Sequence, residues 1–334
     1  MFIPDAVYYE PNSANYELGK MLLKKYQNEN IPLFQIENHN NIPEMRNQGN
    51  KAFPKLKKHI IIGVRKTQKF EPNTKTSDFL VPYTSSGCIA MCMYCYLVCH
   101  YNKCAYLRLF VNREELFNKI IRYSITSKEN LTFEIGSNSD LILENTITGN
   151  LDWTIEEFAK RGQGYITFPT KFSYVDTLMS LNHQGKTIIR ISLNPEEIIR
   201  KVEFGTSSLI DRITAIKKLY NAGYKVGVII APIIFVNNWK ELYESLFQSI
   251  NENFSEKMKR EIQFEFIFMT YSYVHKMINI EAFPNAISLF DQEKMTGRGK
   301  GKYMYKKEFR LEGTSFIEKM MKKYFPNSKI AYIV

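Results

Sequence analysis

The chain has no cysteine outside one window of 17 residues, Cys88 to Cys104. A secreted disulfide scaffold spreads its cysteines to staple distant loops, so this arrangement speaks against that class and for a reducing compartment. No apolar run has the length needed to span a bilayer, and KHIIIGVRK and KVGVIIAPIIFV have instead the length of buried strands. The opening stretch, MFIPDAVYYEPNSANYELGK, lacks the basic start and apolar run of a signal peptide. A cytoplasmic protein with no membrane contact is therefore expected, and nothing argues against a monomer. Internal repeats, low-complexity tracts and the glycine fingerprints of Walker-type and dinucleotide-binding loops are missing as well.

Acidic residues are scarce in one place above all. The net charge is +11, and between Lys294 and Lys329 eleven Lys or Arg stand against three Glu, so about a tenth of the chain holds most of it. Such a cluster suits a polyanion, although EKMMKKYF alone reads as an ordinary solvated helix face. The stretch TGRGKGKYMYKKEFR is different. Glycines alternate with basic residues and then give way to alternating aromatics and charges, the pattern of a β-hairpin with a flexible basic tip. Arg298, Lys300 and Lys302 are candidates to meet phosphates, and Tyr303, Met304 or Tyr305 to wedge against bases.

With 44% hydrophobic residues in 39.2 kDa, the chain can bury a large core. Apolar runs alternate with helical patterns along it. Strands are expected at 59–64, 79–81, 131–135, 164–168, 187–193, 226–232 and 262–269. Helices are expected at 113–123, 154–160, 174–181, 208–222 and 239–253, with Gly223 as a left-handed cap. Strand and helix repeating in this way imply parallel βα units, in an open doubly wound sheet or a complete or partial barrel. Either architecture places active residues at the C-terminal ends of the strands.

The cysteines fall at such a place. FLVPYTSSGC is a strand running into a loop, and Cys88, Cys92 and Cys95 follow in C-x3-C-x2-C spacing. Three thiolates on one loop can hold three irons of a cubane cluster and leave the fourth iron open for chemistry. A zinc site would want a fourth ligand, which His100 or Cys104 would have to supply, and a group of buried thiols with no metal is the plainest alternative.

The motif C-x3-C-x-Y-C, here Cys88, Cys92, Tyr94 and Cys95, is the signature of the radical SAM superfamily. Beyond it, the chain resembles the spore photoproduct lyase family along nearly its whole length. The carrying segments are YYEPNSANYELGK, CMYCYL with LRLFVNREELF, FEIGSNSD, FPTKFSYVDTL, GKTIIRISLNP, GYKVGVIIAPI, GKYMYKKE and YFPNSKIAYIV. The resemblance implies an α/β fold, a partial (β/α)6 TIM-type barrel with a basic C-terminal β-hairpin. It implies an N-terminal α/β extension over 1–75, the barrel over 76–280 and a DNA-binding region over 281–334. The implied cofactors are a 4Fe-4S cluster and S-adenosyl-L-methionine, and the implied partners are UV-damaged double-stranded DNA and an electron donor of flavodoxin or ferredoxin type. The implied reaction is a carbon-carbon lyase step in the spore core: a 5′-deoxyadenosyl radical takes a hydrogen from the thymine dimer of irradiated spores, and the methylene bridge breaks. By motif, Ser139, Asp140, Lys171, Ser192 and Ala231, with Tyr96, would contact the cofactor, while Tyr94 and Tyr96 would relay hydrogen. An iron-sulfur nucleic-acid-binding protein acting on another substrate, or on none, is the alternative reading.

One position departs from the family. Ser137 stands where the family has the cysteine that quenches the product thymine radical, and an alcohol O–H is too strong to take over that task by the same route. Cys99 is the replacement expected here, since four residues after Cys95 on a helix is one turn away on the same face. Donation from Tyr94 or Tyr96, or divergence to another radical reaction, are the alternatives.

Overall fold

The computed structural model describes residues 2–100 and 106–334; Cys104 and the side chain of His100 lie outside the described residues. The main sheet is curled and holds seven parallel strands. In spatial order these are Phe79–Leu80, Thr132–Glu134, Tyr165–Thr170, Thr187–Leu193, Lys225–Ile233, Gln263–Phe268 and Lys329–Ile333. Glu71–Pro72 adds a short antiparallel edge beside Phe79–Leu80. Six of the seven are the apolar runs singled out in the sequence, and they keep chain order across the sheet, which is the partial barrel. Runs such as TIIRISL suit a strand covered on both faces. The helices Arg113–Thr126, Asn150–Arg161, Leu209–Asn221 and Trp239–Asn253 each bury one stripe. Gly223, at φ 87°, terminates Leu209–Asn221 as its position promised.

A second sheet orders Leu33–Gln35, Ala6–Tyr9, His59–Gly63 and Leu107–Phe110 in parallel, with Ser85–Ser86 antiparallel at its edge. The sheets therefore do not divide at residues 75 and 280. Leu107–Phe110 joins the N-terminal sheet, and Lys329–Ile333 returns from the C-terminal region to complete the barrel sheet. A buried edge has backbone N–H and C=O groups to satisfy, and a strand from anywhere in the chain can do so.

Inside the barrel Arg190 ties several strands together. Its guanidinium donates to Glu134 at 2.5 Å, to Glu265 at 3.1 Å and to Thr167 at 3.1 Å, while the Tyr332 hydroxyl donates to Glu265 at 2.5 Å. A charged group this deep is tolerated because its donors are occupied. The expected hairpin is present: Met295–Gly299 pairs with Lys302–Tyr305, which pairs in turn with Thr270–Ser272. Lys300 and Gly301 make its turn with φ of 51° and 66°, the left-handed pair that two-residue hairpins favour. No helix among the described residues is long and apolar enough to cross a membrane.

Candidate functional site

The cysteine loop leaves the C-terminal side of Phe79–Leu80 by way of Ser85–Ser86 and is fastened on both flanks. Gly87, at φ 79°, donates its N–H to the Asn138 carbonyl at 2.7 Å, which ties the loop to the segment after Thr132–Glu134. Met91–Cys92 pairs antiparallel with Glu203–Phe204, so Cys92 lies opposite Glu203. Below the loop the buried Glu144 accepts from Thr84 at 2.9 Å and from Ser85 at 2.5 Å, and Ser85 shares a 2.5 Å hydrogen bond with Ser139.

Burial pushes the Cys88 thiol up to about 12, against the nearby Lys57 ammonium. Cys92 is raised well above its ordinary value, by burial and then by Glu203, with Lys171 opposing. Cys95 is raised by burial, and Lys57 opposes that too. The three thiols are near enough to disfavour one another's thiolates. A metal centre supplies the positive charge that burial withholds and takes the protons' place. Among the described residues no three His, Cys, Asp or Glu side chains converge on a point where one ion would sit. A zinc site requires that convergence. A cubane does not, since each thiolate binds a different iron, and an all-sulfur soft donor set on one loop fits such a cluster.

Around the thiols, residues from separate strands converge. Lys171, just after Tyr165–Thr170, places its ammonium 2.7 Å from Ser192 Oγ, 2.8 Å from the Ala231 carbonyl and 3.0 Å from Glu203 Oε1. Three residues that the motifs singled out separately thus meet at one charge. Glu203, which sequence reasoning missed, is the hub: Tyr94 donates to it, Asn194 donates at 2.9 Å, and Arg212 donates to its other oxygen at 2.7 Å. Burial alone would raise Glu203, but Lys171 and Arg212 outweigh it and hold the carboxyl down at about 2. A signal for Arg212 exists in the sequence. It shares its helix face with Ile216 and Leu219, and a guanidinium on an apolar stripe needs a buried partner.

The structure fixes the surroundings of the other expected residues. Asp140 is an N-cap, and its carboxylate accepts from Leu143 N–H at 3.2 Å, Thr170 Oγ at 2.8 Å and Lys171 N–H at 2.9 Å. Tyr305 is not a wedge for bases. It is 2% exposed, packs on Phe235 and accepts from the Phe235 N–H at 3.0 Å. Strand alternation turned it inward, opposite in facing to its neighbours. Tyr303 is half-buried against Phe290, while Arg298, Lys300 and Lys302 are exposed. Cys99 does lie one turn from Cys95, on Leu97–His100, but its thiol faces Ser272 Oγ at 3.3 Å and His275 Nε2 at 3.7 Å, in an apolar cluster with Leu97, Val98 and Ile278. The Ser137 loop is met by Tyr96 instead, whose hydroxyl donates to the Ser137 carbonyl. Tyr94 is half-buried and committed to Glu203, whereas Tyr96 is half exposed, at 52%. Two residues of the 273–282 helix also reach the loop: His275 Nε2 lies 2.9 Å from the Cys95 carbonyl and Asn279 donates to the Met93 carbonyl at 2.8 Å. Burial lowers the His275 pKa, which keeps its ring neutral.

A C-x3-C-x2-C thiol loop on the C-terminal rim of a partial parallel barrel, with a lysine and a buried carboxylate beside it, defines a radical SAM enzyme. Comparison with known proteins narrows this. The family model for spore photoproduct lyase matches residues 2–334, and the chain belongs to that family. The spore photoproduct lyase of Bacillus subtilis strain 168 is 33% identical over 337 residues, covering 99% of this chain and 98% of that protein. That of Clostridium acetobutylicum is 30% identical over 333 residues, covering 98% of each. A solved spore photoproduct lyase complexed with dinucleoside spore photoproduct matches with a TM-score of 0.91 at 29% identity, over 100% of this chain and 99% of that one. A mutant lyase with bound AdoMet and the same dinucleoside matches with the same score and coverage.

Proposed function

We propose that this chain is a radical SAM DNA-repair lyase that returns the spore photoproduct, two thymines joined through a methylene bridge, to two separate thymines. The observation that carries the reading is the meeting of Lys171, Ser192 and the Ala231 carbonyl beside Cys92 and Cys95. A 4Fe-4S cluster held by Cys88, Cys92 and Cys95, with S-adenosyl-L-methionine, supplies a carbon radical able to take a hydrogen atom from the lesion. This chain's own residues do the rest. The three N–H donors of Lys171 are taken by Ser192, Ala231 and Glu203, so an arriving carboxylate exchanges with one of them. Glu203 is the partner to give way, because Arg212, Tyr94 and Asn194 continue to satisfy it. Asp140 fixes the Lys171 backbone, and Ser139 is set by Ser85. Anaerobic reconstitution tests the whole reading. A brown protein that releases 5′-deoxyadenosine with reductant and restores thymines supports it, and cofactor cleavage without repair points to another substrate.

The final hydrogen atom comes, in this reading, from Tyr96, and the phenoxyl left behind is returned to the phenol by one electron from the reductant and a proton from solvent. A phenol O–H is far weaker than an alcohol O–H and comparable to a thiol S–H, and the Tyr96 hydroxyl is the one that lies on the Ser137 loop. Tyr96→Phe is expected to leave cluster content and 5′-deoxyadenosine release in place while restored thymine falls by an order of magnitude or more, about the effect of losing a positioned proton or hydrogen donor. Undiminished clean repair by that variant removes Tyr96 from the role.

Damaged duplex is recognised through its backbone and the low cost of extruding a poorly stacked lesion, without sequence readout. The exposed Arg298, Lys300 and Lys302 form the tip that meets phosphates. Replacing all three by alanine is expected to flatten the plot of log affinity against log salt by up to about 2.7, since each lost phosphate contact takes about 0.9 from the slope. An unchanged slope, measured by anisotropy on a labelled duplex, places the DNA elsewhere.

A further inference from the structure

The helix Tyr273–Ala282 touches both the basic hairpin and the cysteine loop. It begins where Thr270–Ser272 ends, and that strand is hydrogen-bonded along the hairpin with Thr270 opposite Met304, Tyr271 opposite Tyr303 and Ser272 opposite Lys302. The Tyr273 N–H donates to the Gly301 carbonyl at 2.9 Å, so the first residue of the helix is tied to the hairpin's turn. The buried face of the same helix reaches the loop between Cys92 and Cys95. Asn279 Nδ2 donates to the Met93 carbonyl at 2.8 Å and is oriented by the Tyr271 hydroxyl at 2.8 Å.

The tautomer of His275 follows from its partners. A carbonyl only accepts, so the neutral ring carries its proton on Nε2 and donates to Cys95 O at 2.9 Å. Nδ1 is then an acceptor and takes the Ser272 hydroxyl at 3.0 Å. Ser272 is the last residue of the strand paired with the hairpin. Strand pairing, the helix backbone and side-chain hydrogen bonds therefore connect Lys302 and Gly301, through Ser272 and Tyr273, to the backbone on either side of Tyr94.

We propose that His275 and Asn279 are positioning residues for the cysteine loop, and that their helix couples occupancy of the hairpin by DNA to the stability of the metal centre on that loop. The proposal rests on reading Cys88, Cys92 and Cys95 as cluster ligands and the hairpin as the DNA contact. Residues that orient a ligand-bearing segment typically change metal retention 10- to 100-fold when removed, about the size of effect expected here. Coupling between two sites is reciprocal: if DNA holds the loop in its metal-binding form, the loaded protein binds DNA more tightly by the same factor.

The test uses the full chain, reconstituted anaerobically, with undamaged duplex DNA so that no chemistry intervenes. Iron loss to a ferrous chelator is followed by the fading of the brown colour, with and without duplex. DNA is expected to slow the loss about fivefold or more, and in a separate equilibrium titration the iron-loaded protein is expected to bind duplex more tightly than the stripped protein. Asn279→Leu and His275→Ala are expected to lose iron roughly 10-fold faster or more and to lose the response to DNA, with DNA affinity of the stripped protein unchanged. His275→Gln, which keeps an N–H for the Cys95 carbonyl, recovers part of both. A wild-type rate indifferent to DNA overturns the proposal. So does a DNA response that survives in both variants, which is what mere shielding of the metal by bound DNA would give. A chain that takes up no iron at all overturns the cluster reading first, and this inference with it.

Discussion

Replacing Arg212 by leucine is expected to destabilise the protein by about 3–5 kcal/mol, the usual cost of leaving one partner of a buried ion pair alone. Arg212 is 0% exposed and Glu203 1% exposed, and they meet at 2.7 Å with the Ser192 carbonyl, the Ser207 carbonyl and Thr206 Oγ each taking a further guanidinium donor. The thermal midpoint should fall by roughly 5–15 °C, read by calorimetry on the iron-free protein so that cluster loss does not enter. The same pair has a pH signature. Glu203 sits at about 2 in the folded protein against an ordinary 4.5, so the unfolded chain binds the proton more tightly. Its contribution is complete above pH 4.5 and is lost as pH falls through 4.5 towards 2. The stability gap between the native protein and Glu203→Gln should therefore narrow across that window. A constant gap would show that the carboxylate's charge does not matter to the fold.

Lys171→Met should abolish productive cofactor binding while leaving the cluster in place. The lysine places an ammonium beside the cysteine loop, and its removal deletes charge-assisted bonds that each carry about 1.5–3 kcal/mol. A loss of S-adenosyl-L-methionine affinity of about 100-fold or more follows, measured by equilibrium binding to the reconstituted protein. Iron content should stay at the native level, because among the described residues the Lys171 ammonium is hydrogen-bonded to Ser192, Ala231 and Glu203 and to no thiol, and Glu203 keeps Arg212, Tyr94 and Asn194. Tight cofactor binding by the variant would move the carboxylate site away from Ser192 and Ala231.

The barrel was legible because its strands are long apolar runs separated by helical patterns, and burial on both faces writes that pattern directly into the composition. Lys171, Ser192 and Ala231 were legible only as motif residues at strand ends. Their meeting depends on how three crossovers superimpose, which no local pattern encodes. Glu203 was invisible for a related reason, since it looks like an ordinary helix-end charge, whereas Arg212 left a trace only as a guanidinium on the apolar face of its helix. The opposite error occurred at Tyr305, where an aromatic in a basic hairpin looked available. The alternation of the strand that pairs with both Thr270–Ser272 and Met295–Gly299 decided its facing. Cys99 lies one turn after Cys95 as its spacing implied, and what the spacing did not show is that its thiol meets Ser272 and His275. The apolar cluster under Leu97 and Val98 sets the rotation of so short a helix, and that cluster comes from the N-terminal extension and the 273–282 helix.

The antiparallel pair at the far edge of the barrel sheet has a practical side. Glu71–Pro72 closes that edge with two residues, one of them charged and the other without an N–H to offer. An open parallel sheet would otherwise present a row of unpaired backbone groups to a second copy of itself. Concentrated stocks of this protein, including the iron-free form handled before reconstitution, therefore offer only a two-residue edge on that side as a template for fibres.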